Sequence, residues 1–172
     1  MNIQTALARF LVQIDADGRS THTIGQYRRH VGAFAAWLAH GGRRRAVAGI
    51  RHEDVAAFLA APEARTAAHG GPKLPISMNA MRTSLRVFFR YLHEAGEIGQ
   101  NPARLVRRAL CGVPPPRSLT PEEQARLLAT MAKGGCARDH ALFHLMLATG
   151  IRVGSAVCWT SSTWTSTATS SG

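Results

Sequence analysis

The strongest constraint on the fold is a run of apolar residues spaced three and four apart in the segment that follows Ser77. This spacing places them on one face of a helix, and we predict a helix from Met78 to about Ala95, with Ser77 as N-cap and Gly96 as the stop. The apolar stripe comprises Met78, Met81, Leu85, Phe88, Phe89 and Leu92. A stripe of this length predicts a mainly α fold.

The same pattern predicts five further helices, and no segment has the alternation of a strand. Residues 62–75 contain three prolines and are predicted as a loop. The sequence Thr120-Pro121-Glu122-Glu123 has the pattern of a capping box with proline at the first helical position. The predicted helices span residues 3–14, 20 or 21–39, 52–61, 121–132 and 137–149.

Basic residues are concentrated in the first two thirds of the chain. The net charge is +11, carried by nineteen arginines and two lysines. Residues 1–117 hold seventeen basic and seven acidic residues, a net of +10, whereas residues 118–172 hold four and three, a net of +1. This asymmetry favours a surface for a polyanion such as nucleic acid. The alternative is the arginine-rich composition of a GC-rich genome.

The remaining composition argues against several other classes of protein. The three cysteines have neither metal-ligand nor disulfide spacing. We therefore expect no metal and a reducing cytoplasmic location. We also expect no cofactor and no small-molecule substrate. No signal peptide or membrane-spanning run is recognisable.

Candidate DNA contacts lie on the Met78–Ala95 helix. Arg82, Arg86 and Arg90 recur every four residues and form a row about 12 Å long at 1.5 Å per residue. Asn79 flanks the row. Arginine suits bidentate contacts with phosphate or guanine. A solvated helix face is the alternative interpretation.

A second group of candidates begins at the start of the second predicted helix. Donors at a helix N-terminus favour phosphate binding, although capping alone also explains part of this group. A basic loop follows the helix. The candidates are Thr21, Thr23, Gln26, Arg29, Arg43, Arg44 and Arg45.

Near the end of the chain, an apolar helix, a Thr149-Gly150 break and Arg152 follow one another. The sequence ARDHALFHLMLATGIR resembles the first active-site motif of the tyrosine recombinases, the phage integrase family. Five upstream segments resemble that family's motifs in the same order. They are residues 20–38 (STHTIGQYRR running into FAAWL), 52–59 (HEDV with FL), 85–92 (LRVFFRYL), 101–102 (NP) and 119–123 (LTPEE).

The resemblance implies a fold and a division into domains. Residues 1–97 would form a four-helix SAM-like core-binding domain, and residues 98–117 a basic, proline-rich linker. Residues 118–156 would supply the first helices of an incomplete integrase catalytic domain. Arg152 would correspond to the arginine that holds the scissile phosphate. The implied partners are duplex DNA at a recombination site and other recombinase protomers.

The family's other catalytic residues are not found in this sequence. The family uses a lysine on a hairpin, a His-x-x-Arg pair, a further His or Trp, and a nucleophilic tyrosine. Here no lysine follows Lys133, no arginine follows Arg152, and Tyr91 is the last tyrosine. Ser155 stands where the family often carries an acid. We therefore expect Arg152 to be the one retained catalytic residue, and no strand cleavage.

Residues 157–172 differ in composition from the rest of the chain. Ten of these sixteen residues are Ser or Thr, which predicts a disordered tail. Codons that fit residues 157–168 read Leu-Leu-Asp-Val-Glu-His-Val-Asp-Val-Asp-Arg when shifted by two bases, similar to what the family carries after its first arginine. We interpret the tail as a frameshift product. A low-complexity linker is the alternative.

Three other functions remain open at this stage. The chain could be a helix-turn-helix regulator, although a long arginine-rich loop separates its second and third predicted helices. It could be a helical protein-interaction module. It could also be an active enzyme, which strand cleavage by the purified chain would reveal.

Overall fold

The computed structural model describes residues 1–42, 46–112, 117–134 and 136–159, with side chains up to residue 156. The described residues form eight α-helices, one 3-10 turn at Val47–Gly49 and no strand, so the mainly α prediction is confirmed. The helices are α1 (Ile3–Ala16), α2 (Thr21–His40), α3 (His52–Ala60), α4 (Pro62–Arg65), α5 (Pro75–Glu94), α6 (Pro121–Gly134), α7 (Ala137–Thr149) and α8 (Val153–Trp159).

Contacts divide the chain into two compact units, Met1–Val113 and Pro114–Gly172. In the first unit, α1 packs on α2 and α5, α2 packs on α5, and α4 contacts α2 and α3. The core continues beyond α5, because Ile98 and Ala103 are buried in it. Residues 98–117 were predicted as a linker. The first part of this segment therefore packs against the helices.

Aromatic rings fill the centre of the first unit. The Phe10 ring lies 5.5 Å from that of Phe88, and the Phe34 ring lies 5.8 Å from that of Phe89, both edge to face. Phe88 and Phe89 are themselves 5.1 Å apart. Phe88 of α5 thus contacts a ring of α1, and its neighbour Phe89 contacts a ring of α2. These contacts fix the position and rotation of α5.

Two helix starts differ from the prediction. The N-cap of α5 is Leu74 with Pro75 at the first position, so the predicted cap at Ser77 is wrong. Proline is favoured there because its φ is helical and the first N–H needs no partner. For the same reason Pro62 begins the single turn α4, inside the segment predicted as a loop. Pro62 also follows the end of α3, because proline lacks the N–H that would continue that helix and holds Ala61 in an extended conformation.

Two predicted helix ends are confirmed. Ser20 caps α2, with its hydroxyl accepting a hydrogen bond from the Thr23 N–H. Gly150 ends α7 at φ 67°, in the left-handed region where glycine carries no steric penalty.

The second unit differs from the first in burial. Helices α6 and α7 contain no buried residue, whereas α5 contains eight. Helix α8 runs to Trp159 and so enters the segment predicted as a tail. The rest of that segment, residues 160–172, lies outside the described residues.

Candidate nucleic-acid interface

The arginine row of α5 lies on the flank of the helix, beside its buried stripe. Arg86 and Arg90 are exposed and Arg82 is half-buried. Arg90 lies near the carboxylate of Glu94, with Nε and Oε1 3.8 Å apart and both side chains largely exposed. An exposed pair at that distance contributes little, so Arg90 keeps most of its capacity to bind an anion.

Arg86 and Arg90 share an open groove with two arginines from the segment that follows α5. We call residues 101–111 the basic segment. Arg104 and Arg108 from this segment line the groove opposite Arg86 and Arg90, and Thr83 and Asn101 complete the polar lining. The groove encloses about 310 Å³ and has no acidic residue among the described residues that line it. We call it the arginine groove.

Arg104 and Arg108 were not among the candidates identified from the sequence. They fall in the segment assigned to the linker, which lacks apolar periodicity and so gave no reason to dock it on α5. A signal was present, because Arg104 and Arg108 repeat the four-residue spacing of Arg86 and Arg90.

Asn79 has a position that its sequence context did not indicate. Its side chain is buried, at 4% exposure. The amide Nδ2 donates to the Ala109 carbonyl at 2.9 Å and to the Cys111 Sγ at 3.1 Å. The amide Oδ1 accepts from the Ala109 N–H at 2.8 Å and from Arg82 Nη1 at 3.0 Å. Asn79 therefore binds the chain's own basic segment and is not open to a ligand.

The start of α2 is capped by its own side chains. The Thr23 and Ser20 hydroxyls are 2.9 Å apart, and the Thr23 N–H also bonds to Ser20. Thr21 and Arg29 are exposed, and Gln26 is half-buried. Helix capping accounts for the hydrogen bonds of Ser20 and Thr23. Thr21, Gln26 and Arg29 therefore remain as the candidate DNA contacts on α2.

A hydrogen bond links α2 to α5 beside these candidates. His30 Nδ1 lies 2.8 Å from the Ser84 Oγ, and Ser84 donates its proton to the Ala80 carbonyl. His30 must therefore be the donor to Ser84. Burial, followed by the charges of Arg29 and Lys73, lowers the pKa of His30. Neutral His30 thus lies among cations in the first unit.

The remaining candidates lie elsewhere. Arg43, Arg44 and Arg45 lie outside the described residues. Arg152 belongs to the second unit, is exposed, and precedes α8, whose Ala156 N–H bonds to its carbonyl.

The described part of the chain lacks two other kinds of site. No three His, Cys, Asp or Glu side chains are placed to share a metal ion there. None of the described helices is long and apolar enough to cross a membrane.

The all-helical first unit and its arginine groove define a helical module with the electrostatic features of nucleic-acid binders. Residues 7–96 match the family described as phage integrase, N-terminal SAM-like domain. The chain therefore belongs to the tyrosine recombinase (phage integrase) family. The resemblance inferred from the sequence motifs is confirmed.

Curated relatives agree with this assignment. Tyrosine recombinase XerC of Rhodospirillum centenum is 31% identical over 146 residues, which are 81% of this chain and 42% of that protein. XerD of Ralstonia nicotianae is 29% identical over 80% of this chain and 42% of its own length. XerC of Xanthomonas campestris pv. campestris is 29% identical over 87% and 45%. The chain spans less than half the length of these relatives. No solved structure matches it significantly.

Proposed function

We propose that the first unit binds duplex DNA through the phosphate backbone, in the manner of the N-terminal part of a site-specific recombinase. The observation that carries the proposal is the arginine groove, whose described lining holds four arginines and no acid. Four like charges in one groove raise the local positive potential and favour a polyanionic partner. Arginine is also the cation best shaped for phosphate oxygens.

The test is the salt dependence of DNA binding. Each phosphate contact contributes about −0.9 to the slope of log K against log salt concentration. If the four groove arginines each bind a phosphate, they account for about −3.6 of that slope. Fluorescence anisotropy of a labelled duplex between 50 and 200 mM NaCl measures it. Binding that does not weaken with salt would refute the proposal and favour a protein-interaction module.

We also propose that binding depends on sequence, as recognition of a recombination site requires. The candidates on α2, exposed Thr21 and Arg29 and half-buried Gln26, are placed to supply contacts beyond the groove. Selection from a random duplex library should enrich a defined motif. Enrichment of no motif would restrict the function to backbone binding.

Finally, we propose that this 172-residue chain does not cleave DNA. A covalent phosphotyrosyl intermediate requires a nucleophilic tyrosine. No tyrosine follows Arg152, the counterpart of the family's phosphate-holding arginine. Incubation with nicked duplexes carrying a selected motif should give no covalent protein–DNA adduct on denaturing gels. An adduct would overturn this part of the proposal.

A further inference from the structure

We infer that Asn79 is a positioning residue for the arginine groove. It holds the basic segment along α5, so that Arg104 and Arg108 face Arg86 and Arg90. This inference rests on the proposed DNA binding for its purpose. The hydrogen bonds on which it is based are independent of that proposal.

Asn79 belongs to the same row of α5 as the arginines. At 100° per residue, Asn79 and Arg90 lie within about 20° of each other around the helix axis and about 16 Å apart along it. Arg86 lies between them. Arg86 and Arg90 are exposed. Asn79 is buried, because Ala109 and Cys111 cover it.

The basic segment therefore runs antiparallel to α5. Its first residues lie at the carboxyl end of the helix, where Asn101 and Arg104 line a surface depression with Arg90. Its last residues lie at the amino end, against Asn79. Arg104 and Arg108 fall between these two ends and line the same groove as Arg86 and Arg90.

The segment is fixed near both ends. Near its start, Ala103 is buried in the core, and its N–H donates to Asn101 Oδ1 at 2.8 Å within the segment. Near its end, Asn79 provides both partners for the backbone of Ala109. The four bonds of Asn79 use the full hydrogen-bonding capacity of its amide. An apolar side chain of the same size would provide none of them.

Fixing both ends matters because ordering a free backbone costs conformational entropy for every residue. With Asn79 present, folding has already ordered the residues between the two anchors before DNA arrives. Without it, DNA must order them, and the contribution of Arg104 and Arg108 to affinity falls.

The first experiment tests the contact itself. Asn79→Ala should release the end of the basic segment, so that trypsin cleaves after Arg107 and Arg108 several-fold faster. Ser84→Ala is the matched control, because Ser84 is another buried polar residue of α5 that bonds instead to His30. Far-UV circular dichroism reports folding, and Asn79→Leu keeps the volume if the alanine variant does not fold. Unchanged cleavage in both Asn79 variants would overturn the inference.

The second experiment tests positioning by a double-mutant cycle. The double variant Arg104→Ala/Arg108→Ala should weaken duplex binding roughly tenfold or more, since bonds to charged groups are strong. It should also reduce the salt slope by about 1.8. Asn79→Ala alone should reproduce most of that loss, and adding it to the double variant should change little.

The outcomes separate the two proposals. Faster cleavage with fully additive effects on DNA binding would mean that Asn79 holds the segment without positioning its arginines, which overturns the inference alone. Absence of salt-dependent binding by the unaltered chain would overturn the proposed function and the positioning role together. Coupled losses together with faster cleavage support both.

Discussion

Replacing Phe88 by alanine tests whether the aromatic core holds the arginine-bearing helix. Phe88 is fully buried and makes edge-to-face contacts with Phe10 and Phe89. Truncating a buried phenylalanine costs about 3–5 kcal/mol, because apolar burial is lost and a cavity remains. A unit of 113 residues has a total stability of roughly 6–17 kcal/mol, so the loss is a substantial fraction.

The expected shift in melting temperature follows from the size of the unit. At about 2.1 cal/mol/K per residue, its unfolding entropy is roughly 0.24 kcal/mol/K, so Tm should fall by about 13–21 °C. Calorimetry and urea titration followed by circular dichroism measure the change. Phe143→Ala is the control, because Phe143 lies on α7, which buries no residue. An equal or larger loss from Phe143, or a loss below about 1 kcal/mol from Phe88, would refute the reasoning.

Three further predictions concern charge, pH and the extent of the stable unit. Arg86→Ala/Arg90→Ala should reduce the salt slope of DNA binding by about 1.8, whereas Arg126→Ala in the second unit should leave it unchanged. Because the folded pKa of His30 lies below its ordinary value, its contribution to stability is fully present above about pH 6.5 and is lost as the pH falls below it. Urea titrations from pH 7.5 to 5 should show a smaller decline for His30→Gln; identical declines would contradict the assignment. A chain ending at residue 112 should unfold at the same urea midpoint as the main transition of the full chain, and a markedly lower midpoint would show that the second unit stabilises the first.

The helices were predictable from sequence because local periodicity and burial agree. The stripe from Met78 to Leu92 is buried at every position named from its spacing. The start of α5 was less predictable, because Ser77 and Pro75 are both common near helix starts and the buried apolar stripe begins only at Met78. Boundaries depend on such close alternatives, whereas the existence of a helix depends on a long apolar stripe.

The candidate site was only half predictable, and the reason is the sequence distance between its parts. Arg86 and Arg90 are recognisable within one helix. Arg104 and Arg108 join them only because the chain turns back along α5, and the contact that holds it there joins residues thirty positions apart. No local pattern records such a contact, so Asn79 looked like a surface residue.

The two faces of α5 explain how one helix both forms the core and presents charge. Its rotation is fixed on the buried side by Phe88 and Phe89, which contact aromatic rings of α1 and α2. Once that rotation is set, the four-residue spacing of Arg86 and Arg90 determines where the charges lie. Core packing places only the start of the basic segment, through Ala103, because residues 107–110 are exposed. The hydrogen bonds of Asn79 supply the missing constraint, and a change at this buried amide should therefore alter DNA affinity without altering the charge of the chain.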